Sequence, residues 1–162
     1  MQKCISINYD EITDFNLLSQ VDKNLINKAI SASKLAYAPY SEFNVGAALI
    51  LENNKIIIGN NQENSSFPCG VCAERVALFS ARSIYPELLI KKIAITAVPK
   101  NFKLHNPVGP CGLCRQVLME YEKKQQSDIE ILFFDTKKII KIAKAKDLLP
   151  FFFAEDKLKR IN

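Results

Sequence analysis

The chain has 162 residues, 48% hydrophobic and 24% charged, which suits one globular domain and excludes a disordered or linker-dominated protein. Its net charge of +5 comes from scattered doublets, Lys91-Lys92, Lys123-Lys124 and Lys137-Lys138, rather than from a basic run with interleaved aromatics, so no nucleic-acid partner is expected. No stretch approaches the roughly 18 consecutive apolar residues of a membrane helix and Met1 to Glu11 hold no secretory core, so the expected location is cytoplasmic, with no membrane partner.

Residues 1–21 carry no period and read as an N-terminal extension; residues 22–162 read as a single domain. From Asp22, a candidate N-cap, Ile26, Ala29, Ile30 and Ser33 recur at helical spacing, and Pro39 ends the pattern. Val45–Leu51 and Lys55–Gly59 read as antiparallel strands joined by the turn Glu52-Asn53-Asn54. After a polar loop over 60–71, a helix is predicted from Cys72 to Ser83, then a buried strand at Ile93–Val98. A second loop, Pro99 to Pro110, leads to a helix with Cys114, Val117, Leu118 and Tyr121 on one face. Strands at Ile129–Phe134 and Lys138–Ala143 and a short helix at Ala145–Leu149 follow. Strands alternating with helices indicate an α/β fold, a three-layer α/β/α sandwich around one mixed sheet of about five strands.

The cysteines carry the chemistry. There are 5, an odd number without an export signal, which points to metal or catalysis rather than a disulfide framework. Cys111 and Cys114 have the CxxC spacing that lets two thiolates hold one zinc, and both they and Cys72 fall at predicted helix starts, where the helix dipole favours thiolate. The pattern Cys72-Ala73-Glu74 … Pro110-Cys111-Gly112-Leu113-Cys114 fits the zinc-deaminase signature with cysteine in the histidine's place. Three protein ligands leave one zinc position for water, and the neighbouring carboxylate is free to move protons. Cys69-Gly70-Val71-Cys72 is also a CxxC, so spacing alone leaves open a closed four-cysteine structural zinc module. The separation of 39 positions between Cys72 and Cys111 is longer than the about 15–20 residues typical of ribbon sites, and a closed site gives Glu74 no role.

The motifs Ala38-Pro39-Tyr40-Ser41-x-Phe43-x-Val45-Gly46-Ala47-Ala48, Gly59-x-Asn61-x-Glu63-Asn64, Cys72-Ala73-Glu74-Arg75, Pro110-Cys111-Gly112-x-Cys114-Arg115-Gln116-Val117 and Leu148-Leu149-Pro150 follow one another in order. Together they resemble the cytidine deaminase family in its short homotetrameric form, over roughly residues 34–153. The resemblance implies hydrolytic deamination of cytidine and deoxycytidine to uridine and deoxyuridine, with the related blasticidin-S deaminase as the neighbouring alternative. It implies one Zn²⁺ per chain, held by Cys72, Cys111 and Cys114, with Glu74 as the proton shuttle. Phe43, Asn61 and Glu63 are similar to the family's sugar-contacting residues, and Ala73 to the one whose backbone meets the base. Arg75 resembles an arginine that hydrogen-bonds ligand sulfurs and offsets the −1 charge of three thiolates on Zn²⁺. Phe153 resembles a phenylalanine that reaches a neighbouring subunit's base, which implies a homotetramer with shared active sites. Phe67 stands where many relatives have tyrosine; Cys69 and His105 have no counterpart role in the family pattern.

Overall fold

The computed structural model describes residues 1–158. Six strands make one sheet: β1 (Asp10–Ile12), β2 (Phe43–Leu51), β3 (Ile56–Asn60), β4 (Ile90–Pro99), β5 (Glu130–Phe134) and β6 (Ile139–Ile142). Their order is β1-β6-β5-β4-β2-β3. β4 and β5 run parallel and the other neighbours antiparallel. A parallel pair needs a crossover, and α3 (Gly112–Gln125) supplies it.

The layering follows from strand periodicity. Successive side chains point to opposite faces, so Ala47, Leu49, Leu51, Ile93, Ile95, Ile131 and Phe133 share one face. There they bury Ala77, Leu78 and Ala81 of α2 (Ala73–Ile84) and Leu118 of α3. Ala48, Ile50, Ala94 and Leu132, one residue out of phase, bury Leu25, Ile26 and Ala29 of α1 (Gln20–Ser33) on the other. One helix on one face and two on the opposite face give the three-layer α/β/α sandwich. Close contact on the α1 side depends on Gly46, where a Cβ would stand 2.0 Å from the Ala29 carbonyl oxygen.

The sheet has one strand more than periodicity predicts, and that strand, β1, comes from the segment read as an extension. It pairs with β6 through Asp10–Lys141, Glu11–Ile140 and Ile12–Ile139. Leu18, from the same segment, is buried against the α1 layer. The first helix also begins earlier than Asp22. Ser19 is its N-cap, accepting a hydrogen bond from the Asp22 amide at 3.1 Å. Asp22 is instead buried and ion-paired to Lys92 of β4. The helix stops at Ser33, ahead of Pro39. Among the described residues, no helix is long and apolar enough to cross a membrane.

Candidate metal centre and substrate cleft

Two helix starts converge at one end of the sheet. Cys72 is the N-cap of α2 and Cys111 the N-cap of α3; neither forms a side-chain capping bond. Cys114 lies in the first turn of α3 and is fully buried. The three sulfurs lie within 4.8 Å of one another. Cys72 Sγ is 3.8 Å from Cys111 Sγ, which is 3.5 Å from Cys114 Sγ. Tetrahedral zinc with Zn–S near 2.3 Å sets its sulfurs about 3.8 Å apart, so this trio fits zinc. Cys69, in the 3-10 turn Phe67–Cys69, is exposed and outside the cluster, which leaves a three-sulfur site rather than a closed four-sulfur one among the described residues.

The electrostatics favour thiolate at Cys72 and leave the proton on Cys114. The Cys72 thiol is lowered to about 5, first by a hydrogen bond from the Cys114 thiol and then by the Arg75 guanidinium. The same contact with Cys72, together with burial, pushes the Cys114 thiol up. Arg75 Nη2 donates to Cys72 Sγ at 3.7 Å and to the Gly70 carbonyl at 3.5 Å. Glu74 sits in the first turn of α2 with 4% exposure, and burial raises its carboxyl above the ordinary range. A buried carboxyl so placed suits a proton-transfer role.

A cleft of about 450 Å³ opens beside Cys72 and Cys111, within the usual size range for small-molecule sites. Phe43, Asn61, Glu63, Cys72, Glu74 and Cys111 all line it. Asn61 is locked to β2: its Oδ1 accepts from the Val45 amide at 2.7 Å and its Nδ2 donates to the Phe43 carbonyl at 2.9 Å. Glu63 accepts from the amides of Tyr40 (2.9 Å) and Ser41 (3.2 Å) and from the Ser41 hydroxyl. These bonds hold its carboxyl below the ordinary carboxylate range, the Ser41 hydroxyl first.

Of the predicted residues, Cys114, Arg75, Ala73 and Phe153 lie apart from the cleft lining. Ala73 is fully buried, with its carbonyl 2.4 Å from where a Gly59 Cβ would stand. Phe153 is 70% exposed; its backbone is held by the Gln116 amide, which donates to the Phe153 carbonyl at 2.7 Å and accepts from the Phe153 N–H at 3.3 Å. Phe67 lines the cleft and packs edge-on against Tyr40. His105 stands outside the cleft lining and lines a separate cavity, with Lys103 and Thr136 among its other lining residues.

Some supporting residues escape sequence reasoning. Ser41 sits in a quoted motif, yet its bond to Glu63 spans 22 positions. Arg115 Nε donates to the Pro110 carbonyl at 2.8 Å and Nη1 to the Leu148 carbonyl at 3.1 Å. It thereby ties the loop before Cys111 to the Leu148-Leu149-Pro150 turn. Phe102 stacks on Phe43 with no sequence signal at all.

Comparison with known proteins agrees with this geometry. Residues 19–127 match the family model described as the cytidine and deoxycytidylate deaminase zinc-binding region. A cytidine deaminase of Halalkalibacterium halodurans is 47% identical over 96 residues, covering 59% of this chain and 68% of that protein. That of Mycobacterium tuberculosis is 32% identical over 144 residues, 88% of this chain and 98% of the relative. The crystal structure of cytidine deaminase from Burkholderia pseudomallei superposes with a TM-score of 0.69 at 35% identity, covering 84% of this chain and all of that one. With a three-sulfur zinc site, a buried carboxyl beside it and the matched fold around both, the chain belongs to the zinc-dependent cytidine and deoxycytidylate deaminase family.

Proposed function

We propose that this chain hydrolyses the 4-amino group of cytidine and deoxycytidine, giving uridine or deoxyuridine and ammonia. One juxtaposition carries the reading: of three sulfurs within 4.8 Å of one another, those of Cys72 and Cys111 line a cleft that is also lined by a buried carboxyl, Glu74, outside the trio. Cys72, Cys111 and Cys114 would hold a zinc ion, which when bound would supply an acidified water.

Glu74 is the catalytic residue. Its carboxylate takes a proton from the attacking water and delivers it to ring N3 as the water oxygen bonds to C4. Glu74 then moves the hydroxyl proton of the tetrahedral intermediate to the exocyclic nitrogen. The C4–N bond breaks, ammonia leaves and the C4 carbonyl forms. Phe43, Asn61 and Glu63 orient the sugar, and the Ala73 backbone meets the base. Arg75 draws negative charge from the Cys72 sulfur, which would keep a bound metal acidic.

Phe153, exposed and held by Gln116, completes the base pocket of a neighbouring subunit in a homotetramer. The protein acts in the cytoplasm, in pyrimidine salvage. Ultraviolet assays on cytidine, deoxycytidine and blasticidin S, run beside a zinc determination, test the reading. Turnover of the two nucleosides with one zinc per chain supports it; a preference for blasticidin S overturns the substrate. Full activity in a diluted monomer overturns the shared site.

A further inference from the structure

We infer that Phe102 is a positioning residue for substrate affinity, acting through Phe43; the inference rests on the reading of Phe43 as a sugar-side contact. The two rings stack with centroids 6.0 Å apart and planes at 17°. Phe43 lines the cleft and Phe102 does not, so Phe102 supports the ring from outside the cleft lining. Offset stacking of this kind restricts a ring that otherwise turns about two side-chain torsions.

The backbone around the pair is built to hold it. β2 and β4 keep one register from the Ile50–Lys92 pair to the end where Phe43 faces Pro99. One residue further, the Lys100 amide donates to the Glu42 carbonyl at 3.1 Å. The Asn101 side-chain amide donates to the Glu42 carboxylate. Glu42 itself has φ 51°, a left-handed conformation that a non-glycine residue rarely adopts without surrounding support. The segment carrying Phe43 is thus fastened on one side by Glu63, through Tyr40 and Ser41, and on the other by residues 100–102.

Phe102 is 56% exposed, so removing its ring leaves the core intact. Its loss frees the Phe43 ring, and the ordering is then done by the incoming nucleoside. That weakens binding in the ground state and the transition state alike, which raises KM and leaves kcat unchanged.

The test is a kinetic double-mutant cycle on the zinc-loaded enzyme, with cytidine as substrate and uridine binding measured by calorimetry. Phe102→Ala raises KM about three- to tenfold, with unchanged kcat, zinc content and melting temperature, and uridine binding weakens by the same factor. Phe102→Tyr, which keeps the ring, restores the wild-type KM. In a Phe43→Ala background, Phe102→Ala adds nothing further. Additive effects in the cycle, or a fall in kcat at constant KM, overturn the inference. If Phe43→Ala raises KM and Phe102→Ala does not, this inference falls and the substrate reading stands. If neither substitution moves KM, the sugar-side role of Phe43 falls as well.

Discussion

The guanidinium of Arg75 lies 3.7 Å from the Cys72 sulfur, one turn of α2 away, and also donates to the Gly70 carbonyl. Three thiolates on a divalent cation carry a net negative charge, which weakens the cation's pull on a bound water. A hydrogen bond from a permanent cation to one sulfur withdraws part of that charge. Arg75→Gln keeps a donor but removes the charge. We expect zinc affinity or turnover to fall about 10–100-fold, the range seen when a ligand's supporting partner is lost. Chelator competition followed by a cytidine assay measures both. Unchanged affinity and turnover would show that Arg75 serves the Gly70 loop alone.

Glu74 is buried yet lies outside the sulfur cluster, which separates its role from those of the ligands. Glu74→Gln retains shape and removes the exchangeable carboxyl proton. Turnover drops at least about 10²–10⁴-fold, the usual contribution of general acid–base transfer. Zinc content stays at the wild-type level and the melting temperature does not fall, because a carboxyl that burial disfavours has been replaced by a neutral amide. Near-normal turnover in a zinc-loaded variant refutes the shuttle.

Gly59 of β3 lies under the start of α2. A Cβ there would stand 2.4 Å from the Ala73 carbonyl oxygen and 2.6 Å from the Ala77 amide nitrogen, both backbone atoms of the helix that carries Cys72 and Glu74. Gly59→Ala must therefore shift that helix. Destabilisation of about 1–3 kcal/mol is expected from overpacking. Denaturant unfolding gives the stability, and zinc content reports on the displaced Cys72. Gly112, whose added Cβ meets nothing within 4 Å, is the control site.

Much of this architecture can be read along the chain, because the core strands alternate cleanly between two buried faces. β1 cannot: it has three residues, two of them acidic and exposed, and forms only because β6 offers an edge. The start of α1 is hidden for a related reason. Asp22 has the chemistry of a cap, but Lys92, 70 positions away, claims its carboxylate and Ser19 takes the capping role. At the site, the ligand cysteines and Glu74 are legible because metal chemistry restricts both residue type and local spacing. Phe102 and Ser41 are not, since their partners are defined by where distant loops meet rather than by any periodicity.

Cysteine replacement separates the three-sulfur site from the four-cysteine module. Cys69 lies outside the cluster, so Cys69→Ala leaves zinc stoichiometry, fold and turnover unchanged. Cys114→Ala removes a fully buried ligand and abolishes stoichiometric zinc. Metal analysis with circular dichroism distinguishes the outcomes, and zinc loss in Cys69→Ala would reinstate the closed site.

The Glu63 carboxylate supplies the pH prediction. Its pKa is depressed below the ordinary 4.5 by the Ser41 hydroxyl first, and by the Tyr40 and Ser41 amides. A depressed carboxylate contributes its hydrogen bonds fully above the ordinary value and loses them as pH falls through the lower folded one. Uridine is the suitable probe, because it lacks the basic ring nitrogen that cytidine protonates in acid. Its affinity should therefore hold as pH falls toward 4.5 and weaken only below it. Ser41→Ala removes the largest depressing contact, so its loss of affinity begins at higher pH than in the wild type. Calorimetric titrations of both proteins across the acidic range, with zinc content checked at each pH, give the two curves. Coincident curves would mean that the Ser41 hydroxyl does not govern the charge on Glu63.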